Sequence, residues 1–358
     1  MYLDKLSLKN FRSFKEKALV FSPKTSLILG PNTAGKTNIL EAIHLLATGK
    51  SFRAETEKEM IKEGEELARI KYQIVSKDDK IEEKTELEIL LTAGQVAGQP
   101  TPHKKYFVNG VSKRMIDFVG FTRVVLFWPE DMELVTDSPS RRRRYLDFVL
   151  TQIDREYRRS LLSYEKGLRQ RNKLLERIRD EGLSRSQLLF WDQLLIRNGS
   201  LLTDKRIEFL NFINRSSVLA EIAKGKPFQI EYDKSVISDS RLEQYAQEEV
   251  AAAATLVGPH RDDFKFLLGS RDLSLFGSRG EQRMATLWLK LAELEYMTTK
   301  TGERPILLLD DIFSELDHEH RHYVLEIIPR QQTIMTTTDL HLIDKKFLKE
   351  KEVRIIEF

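Results

Sequence analysis

Gly30-Pro31-Asn32-Thr33-Ala34-Gly35-Lys36-Thr37 is the stretch of sequence that decides the fold. It follows an apolar run, Ser26-Leu27-Ile28-Leu29, and precedes a helical pattern that reaches about Leu46. A strand, a glycine-rich loop and a helix in this order predict a phosphate-binding loop, in which backbone N–H groups and the positive end of the helix face phosphate oxygens. We predict that the eight residues bind ATP, that Lys36 neutralises the β- and γ-phosphates, and that Thr37 is a ligand of Mg²⁺.

Two acids follow a second apolar run. Ile306-Leu307-Leu308-Leu309 predicts a buried strand, and Asp310 and Asp311 come directly after it. A phosphate-binding loop needs a distant carboxylate for its metal ion, so we predict that Asp310 reaches Mg²⁺ through water. Asp311 then points at the water that attacks the γ-phosphate, which makes it, with Lys36, a predicted catalytic residue. The alternative is that Asp311 is only the N-cap of the helix that follows.

A third element, Ser278-Arg279-Gly280, precedes an amphipathic helical pattern from Glu281 to Thr299. A small hydroxyl residue and a glycine at a helix start predict a second anion site. Because the chain already has one phosphate-binding loop, we predict that this site binds the γ-phosphate held by another copy of the chain. The order of the three elements resembles the ABC-type ATPases, in which ATP is sandwiched between two heads and dimerises them.

Composition excludes several classes of protein. The chain has 358 residues, of which 41% are hydrophobic and 32% are charged, as is typical of a folded globular protein. It contains no cysteine, which excludes a disulfide scaffold, a thiolate zinc site and a cysteine nucleophile. No apolar run approaches the roughly 20 residues that cross a bilayer. We therefore expect a cytoplasmic protein without a membrane segment.

The predicted fold class is α/β, with a helical segment inserted into it. Alternating and apolar runs before residue 125 and after residue 250 predict strands and helices. Between them, apolar residues recur at a seven-residue spacing, namely Leu161, Tyr164, Leu168, Leu175 and Ile178. A second repeat begins at Leu188, as expected of two antiparallel helices joined by a short turn. We predict an ABC-type P-loop ATPase head from residues 1–125 and 250–358, and a mainly helical arm from residues 126–249.

Positive charge is concentrated in one part of the chain. Residues 141–185 carry 14 basic and 7 acidic side chains, although the net charge of the whole chain is only +3. Contacts from Arg and Lys to phosphates dominate DNA affinity, and no base-reading motif is present, so we predict sequence-independent DNA binding. The alternatives are a solvated basic face or ion pairs with acids. The candidate residues are Arg141, Arg142, Arg143, Arg144, Arg155, Arg158, Arg159, Arg169 and Lys173.

Further motifs carry a narrower resemblance, and they span almost the full chain in one order. They are Ser51-Phe52-Arg53, Val108-Asn109-Gly110, Leu126 to Asp131, Ser138 to Asp147, Gln170-Arg171-Asn172, Gly258 to Asp263, Ser278 to Arg283 and Asp310 to Asp317. Together with the phosphate-binding loop and Asn38 after it, they resemble the RecF family of bacterial recombination-repair ATPases. The resemblance adds Asn38 to the predicted ATP-binding residues.

The resemblance implies a head like those of chromosome-maintenance and double-strand-break-repair ATPases. It also implies an ATP-dependent homodimer on single-stranded and duplex DNA at gaps, slow DNA-stimulated hydrolysis, a part in the SOS response, and loading of RecA together with RecR and RecO. The alternatives are the ATP-binding subunit of a transporter, another SMC-like ATPase, and a DNA-binding scaffold whose ATP site is only structural.

The chain departs from the family pattern at one residue and matches it in one further segment. Glu281 replaces the glutamine usual in the family's signature, which places a negative charge close to the predicted γ-phosphate site. Thr336-Thr337-Thr338-Asp339 resembles the family's switch segment, and the sequence leaves open which threonine faces the phosphate.

Overall fold

The computed structural model describes residues 1–78, 81–216, 227–316, 318–350 and 352–358. Asp317, the last residue of the motif that begins at Asp310, lies outside the described residues. The strands are, in chain order, Tyr2–Phe11 (β1), Phe14–Val20 (β2), Thr25–Leu29 (β3), Leu67–Asp78 (β4), Ile81–Thr92 (β5), Gln95–Val96 (β6), Gln99–Pro100 (β7), Lys104–Val108 (β8), Val111–Lys113 (β9), Val124–Phe127 (β10), Phe228–Asp233 (β11), Asp263–Leu268 (β12), Arg271–Asp272 (β13), Ile306–Asp310 (β14), Thr333–Thr337 (β15) and Arg354–Glu357 (β16).

The α-helices alternate with these strands along much of the chain. They are Lys36–Thr48 (α1), Met115–Phe118 (α2), Glu133–Thr136 (α3), Pro139–Ile153 (α4), Arg155–Glu181 (α5), Leu189–Arg215 (α6), Asp239–Gln244 (α7), Ala246–Ala252 (α8), Leu273–Phe276 (α9), Arg279–Thr301 (α10), Ile312–Glu315 (α11), His318–Ile327 (α12) and Lys345–Glu350 (α13).

A parallel sheet has the strand order β10-β14-β15-β3-β16. Strands β14 and β15 are buried along their whole length, and β3 is buried except at its last residue. Parallel strands covered on both faces read as continuous apolar runs, which is why 26–29 and 306–309 were recognisable as strands. The mixed α/β fold class is confirmed.

A second, antiparallel sheet has the order β2-β1-β4-β5-β8-β9. Buried and exposed residues alternate along β1, as expected of a strand with one covered face. The turn between β8 and β9 has positive φ angles of 48° at Asn109 and 76° at Gly110, the geometry of a type I′ hairpin. Asn followed by Gly is the residue pair that this turn favours, because both central residues need a positive φ.

The chain divides into two compact units. Residues 1–131 and 297–358 form the first unit, which contains both sheets described above. Residues 132–296 form the second unit. The predicted domain boundaries, at residues 125/126 and 249/250, stay a prediction.

Helices α5 and α6 of the second unit form an antiparallel pair. Arg171 of α5 pairs with Asp192 of α6, and Tyr157, earlier in α5, bonds to Arg206, later in α6. Four of the five residues of the seven-residue repeat are buried, because they lie in the seam between the two helices. Helix α5 ends at Glu181, and the C-cap residue Gly182 has a left-handed φ of 71°.

Candidate nucleotide-binding site

Three strands of the parallel sheet bring the predicted site residues to one edge. β15 lies between β3 and β14, so the ends of these strands are neighbours. The Gly30 N–H donates to the Thr337 carbonyl oxygen at 3.4 Å. The Asp311 N–H donates to the Thr336 hydroxyl at 3.0 Å, and that hydroxyl donates to Asp310 Oδ1 at 2.8 Å. Thr336 thus forms hydrogen bonds to both Asp310 and Asp311.

At one position of the phosphate-binding loop, the backbone has a conformation that requires glycine. Gly35 has a φ of +92°, and a Cβ atom there would lie 2.6 Å from Cζ of Phe14. Gly35 is the N-cap of α1, so the strained turn places the loop directly at the positive end of that helix.

Lys36 lies on the inside of the loop. Its Nζ donates to the carbonyl oxygens of Gly30 and Pro31 at 2.8 Å and 2.9 Å, and only 7% of the residue is exposed. Burial lowers the pKa of Lys36, while the charges of Asp311 and Asp310 oppose that shift. The buried ammonium group therefore lies in a place where a nearby anion would compensate its lost hydration.

The loop and the acids line one cleft of about 390 Å³, within the range of small-molecule sites. The lining residues that the sequence predicted are Asn32, Thr33, Gly35, Lys36, Thr37, Asn38, Asp310 and Asp311. Sequence reasoning missed four others as site residues, namely Arg53, Trp128, Pro129 and Glu130. All twelve belong to the first compact unit.

All four of these residues belong to motifs that carry the family resemblance, Ser51 to Arg53 and Leu126 to Asp131. Arg53 donates to Asn38 Oδ1 at 3.2 Å, which ties it to the helix that follows the loop. Trp128 meets Phe52 edge to face, with ring centroids 4.7 Å apart. The signal that could have found them was their shared occurrence in the family-type motifs.

A buried carboxylate fixes α1 from behind. Glu41 is fully buried, and it accepts hydrogen bonds from Arg12 Nε at 2.8 Å and Arg12 Nη2 at 2.5 Å. The Ser51 hydroxyl also donates to Glu41, at 2.5 Å. This charged cluster holds the helix that carries Lys36 and Thr37 against the antiparallel sheet.

The donor set suits Mg²⁺. Thr37 offers a hydroxyl oxygen and Asp310 a carboxylate that is 5% exposed, and hard oxygen donors are the ligands that Mg²⁺ prefers. Within the described ranges, no three His, Cys, Asp or Glu side chains are grouped so that they could hold a metal ion. An ion with few protein ligands that also binds phosphate oxygens fits this arrangement.

Asp311 has an unusual backbone for a residue with a side chain. Its φ is +48°, in the left-handed region, at the sharp turn from β14 into α11. It occupies the N-cap position of α11, yet its side chain makes no capping hydrogen bond. Its carbonyl oxygen instead accepts from the Ser314 N–H and hydroxyl, at 3.2 Å and 2.6 Å. Strain of this kind is concentrated at functional sites.

The predicted second anion site lies at the start of α10, in the second unit. Ser278, Arg279 and Gly280 are all exposed, and a Cβ atom built on Gly280 would meet nothing within 4 Å. The N–H groups of the first turn of a helix have no partner within the helix, so this open end can receive an anion.

The run of four arginines points in several directions. Arg142 is buried and binds both carboxylate oxygens of Asp263, at 2.6 Å and 3.0 Å. Arg141 pairs with Asp137 and Glu133, and Arg143 donates to the carbonyl oxygen of Asp262. These contacts agree with the alternative in which the arginines form ion pairs within the chain and do not contact DNA.

The remaining members of the run and its neighbours differ in exposure. Arg144 stacks over the ring of Phe148, with 5.2 Å between the guanidinium carbon and the ring centroid. Arg158 is buried and donates to the Thr151 carbonyl oxygen at 2.8 Å. Burial of Arg142 and Arg158 weighs against direct contact with DNA.

Five exposed basic residues between positions 155 and 173 of α5 share one face of that helix. At 100° per residue, they fall within an arc of about 80°, and no acid of this segment falls inside it. The first and last lie about 27 Å apart along the axis, at a rise of 1.5 Å per residue. These residues are Arg155, Arg159, Lys166, Arg169 and Lys173, which we call the α5 basic stripe. Lys166 was missed from the sequence, although helical periodicity could have found it.

Comparison with known proteins agrees with this architecture. The family model of the RecF/RecN/SMC N-terminal domain matches residues 2–353. A protein of Herpetosiphon aurantiacus, named DNA replication and repair protein RecF, is 39% identical over 98% of this chain and 96% of its own length. A protein of the same name from Lachnoclostridium phytofermentans is 36% identical over 100% of this chain and 98% of its own.

The chain belongs to the RecF family. A solved RecF structure, described as the recombination mediator protein RecF with ATP in the RecFOR pathway, has a TM-score of 0.86 at 34% identity and covers 96% of this chain and 93% of that one. An Smc head bound to a domain of ScpA has a TM-score of 0.51 at 16% identity, over 96% and 91% of the two chains, and shares the fold. RecF membership thus places the chain among the SMC-like ATPases. Of the helices in the described part of the chain, none is both long and apolar enough to span a membrane.

Proposed function

We propose that this chain is an ATP-dependent DNA-binding protein of recombinational repair and replication restart, with slow ATP hydrolysis that DNA stimulates. The observation that carries the proposal is the single cleft lined by the phosphate-binding loop and by Asp310 and Asp311. Membership of the RecF family supports it, since a solved relative is described with ATP.

In this proposal, residues 30–38 bind the triphosphate of ATP. Lys36 holds the β- and γ-phosphates, and its present bonds to two loop carbonyls show that its ammonium group already reaches the inside of the loop. Thr37 and Asp310 would hold Mg²⁺, which when bound neutralises charge on the phosphates. Asp311 orients the attacking water, and Thr336 fixes the position of both acids through the hydrogen bonds described above.

A second copy of the chain completes the site. Ser278, Arg279 and Gly280 of one copy engage the γ-phosphate that the loop of the other copy holds. Their exposure at the start of the 23-residue helix α10 supports this assignment, because an anion can approach the helix terminus from outside. ATP then acts as the link of a homodimer.

The α5 basic stripe is the surface we assign to DNA. Five exposed cations at spacings of four, seven, three and four residues can contact successive phosphates of one strand, without any requirement for base sequence. Arg144 is a further candidate, whereas Arg142 and Arg158 are left out because they are buried.

The cellular role follows from the same family. Solved relatives are described as belonging to the RecFOR pathway. We propose that this chain acts in the cytoplasm on gapped DNA and at junctions of single-stranded and duplex DNA, where with RecR and RecO it promotes loading of RecA.

The decisive experiment is a mixing test. Lys36→Ala removes the cation that holds the triphosphate, and Ser278→Ala disables the site that receives the γ-phosphate from a partner. Each variant alone should stay monomeric with ATP by light scattering. An equimolar mixture should recover dimers with one complete site and part of the DNA-stimulated hydrolysis. A mixture that stays inert while both variants are folded would refute the shared site.

A further inference from the structure

Arg271 and Glu281 form an ion pair beside the start of α10. Their side chains are 43% and 30% exposed, and both belong to the second unit. Glu281 also accepts a hydrogen bond from the Ser278 N–H, from N to Oε2 at 2.8 Å. In return the Glu281 N–H donates to the Ser278 hydroxyl at 3.3 Å. This reciprocal pair is a capping box.

The capping box determines which groups of Ser278 can meet a ligand. Its hydroxyl oxygen accepts from the Glu281 N–H, so the hydroxyl hydrogen is available in another direction. The N–H groups of Arg279 and Gly280 belong to the first turn, where no helical partner exists. Ser278 is therefore held with three donors available at an exposed helix terminus, its own hydroxyl and the two N–H groups after it.

The carboxylate of Glu281 would repel a phosphate unless its charge were balanced. The hydrogen bond from the Ser278 N–H lowers the pKa of Glu281, and Arg271 lowers it further, so the group is charged. Arg271 is itself fixed at a second point, because its Nη1 donates to the Phe276 carbonyl oxygen at 3.3 Å. The guanidinium is thus anchored beside the carboxylate and offsets its charge.

We propose that Glu281 and Arg271 act together as positioning residues for the γ-phosphate of ATP held by a second copy of the chain. Glu281 holds Ser278 in the orientation that receives the phosphate. Arg271 offsets the negative charge of the Glu281 carboxylate. The inference rests on the proposed ATP-linked dimer. It assigns a role to Glu281 and to the arginine ten residues before it.

Three variants separate the two roles. Glu281→Gln keeps an amide oxygen that can accept from the Ser278 N–H and removes the charge, so ATP-dependent dimerisation should stay within about threefold of wild type. Arg271→Ala leaves the carboxylate unbalanced at both sites of the dimer. A loss of a few fold at each helix terminus then multiplies to about tenfold weaker dimerisation. The double variant Arg271→Ala/Glu281→Gln should recover most of that loss.

Dimerisation is measured by analytical ultracentrifugation with ATP, and ATP affinity of the monomer is measured with a fluorescent analogue. The analogue affinity should be unchanged in all variants, since the phosphate-binding loop is untouched. Arg114→Ala, which breaks an exposed ion pair to Asp117 in the other unit, is the matched control and should dimerise normally. Normal dimerisation of Arg271→Ala, or a double variant as weak as Arg271→Ala, overturns the inference. A wild-type chain that stays monomeric with ATP overturns the proposed dimer itself.

Discussion

Replacing Thr336 by Val tests whether this threonine positions Asp310 and Asp311 for the proposed ATP hydrolysis. The hydroxyl of Thr336 donates to Asp310 Oδ1 and accepts from the Asp311 N–H, and the residue is 1% exposed. Valine keeps the shape and removes both bonds. Each buried group that loses its partner costs about 1–3 kcal/mol, so the loss of two partners should lower the free energy of unfolding by about 2–6 kcal/mol.

The effect on turnover should be separable from that on stability. Groups that orient a metal-binding side chain typically change activity 10- to 100-fold when removed, and we expect kcat for ATP hydrolysis to fall by about that factor. Thr337→Val is the matched control on the same strand. Thr337 is also buried, but its hydroxyl donates to the backbone carbonyl oxygen of Asp339 at 3.2 Å and accepts from the Asp339 N–H at 3.3 Å, so these partners are backbone groups and not a carboxylate.

Urea unfolding and steady-state hydrolysis, both measured below the unfolding transition, distinguish the two variants. Thr337→Val loses two hydrogen bonds to partly exposed backbone groups, so it should lose about 1–3 kcal/mol of stability and keep kcat within about threefold. If Thr336→Val hydrolyses ATP as fast as wild type, or if Thr337→Val is slowed equally, Thr336 does not position the acids.

Three further predictions concern the loop, the arm and pH. Gly35→Ala should abolish ATP binding in calorimetry, because its Cβ would meet Phe14 at 2.6 Å; Gly64→Ala, with a similar φ of +84° and nothing within 4 Å, should bind normally. The triple change of Arg159, Arg169 and Lys173 to Ala should lower the slope of log Kd against log salt for DNA by about 2–3, and an unchanged slope would remove the α5 basic stripe from the interface. Burial lowers the pKa of His260 to about 4, below its ordinary 6.5, so the folded state disfavours the proton. The free energy of unfolding should therefore fall by up to about 3 kcal/mol as the pH drops from above 6.5 to 4. In urea titrations, His260→Gln should make the free energy of unfolding less dependent on pH.

The phosphate-binding loop and its flanking strands could be predicted because their signals are local. A strand covered on both faces needs a continuous apolar run, and the loop needs glycine where φ is positive, as at Gly35. The seven-residue repeat of α5 likewise reports a seam between two adjacent helices. Each of these patterns is contained within about 30 residues of sequence.

Contacts between distant segments could not be predicted. Arg142 and its partner Asp263 are 121 residues apart, so nothing near Arg142 indicated that it would be buried. The assignment of Thr336 depended on β15 lying next to β14, which is a property of strand order and not of composition. The α5 basic stripe could have been predicted in full. A count of charges along the chain overlooked Lys166, whereas the positions of the charges around the helix would have included it.

The order of strands in the parallel sheet has a consequence for synthesis on the ribosome. The sheet neighbours of β3 are β15 and β16, whose residues are translated about 300 residues later. Translation proceeds at about 5–20 residues per second, so β3 is synthesised about 15–60 s before the strands that pair with it. Chaperones that shield nascent chains would act during that interval, and the ability to bind nucleotide should arise only at the end of translation.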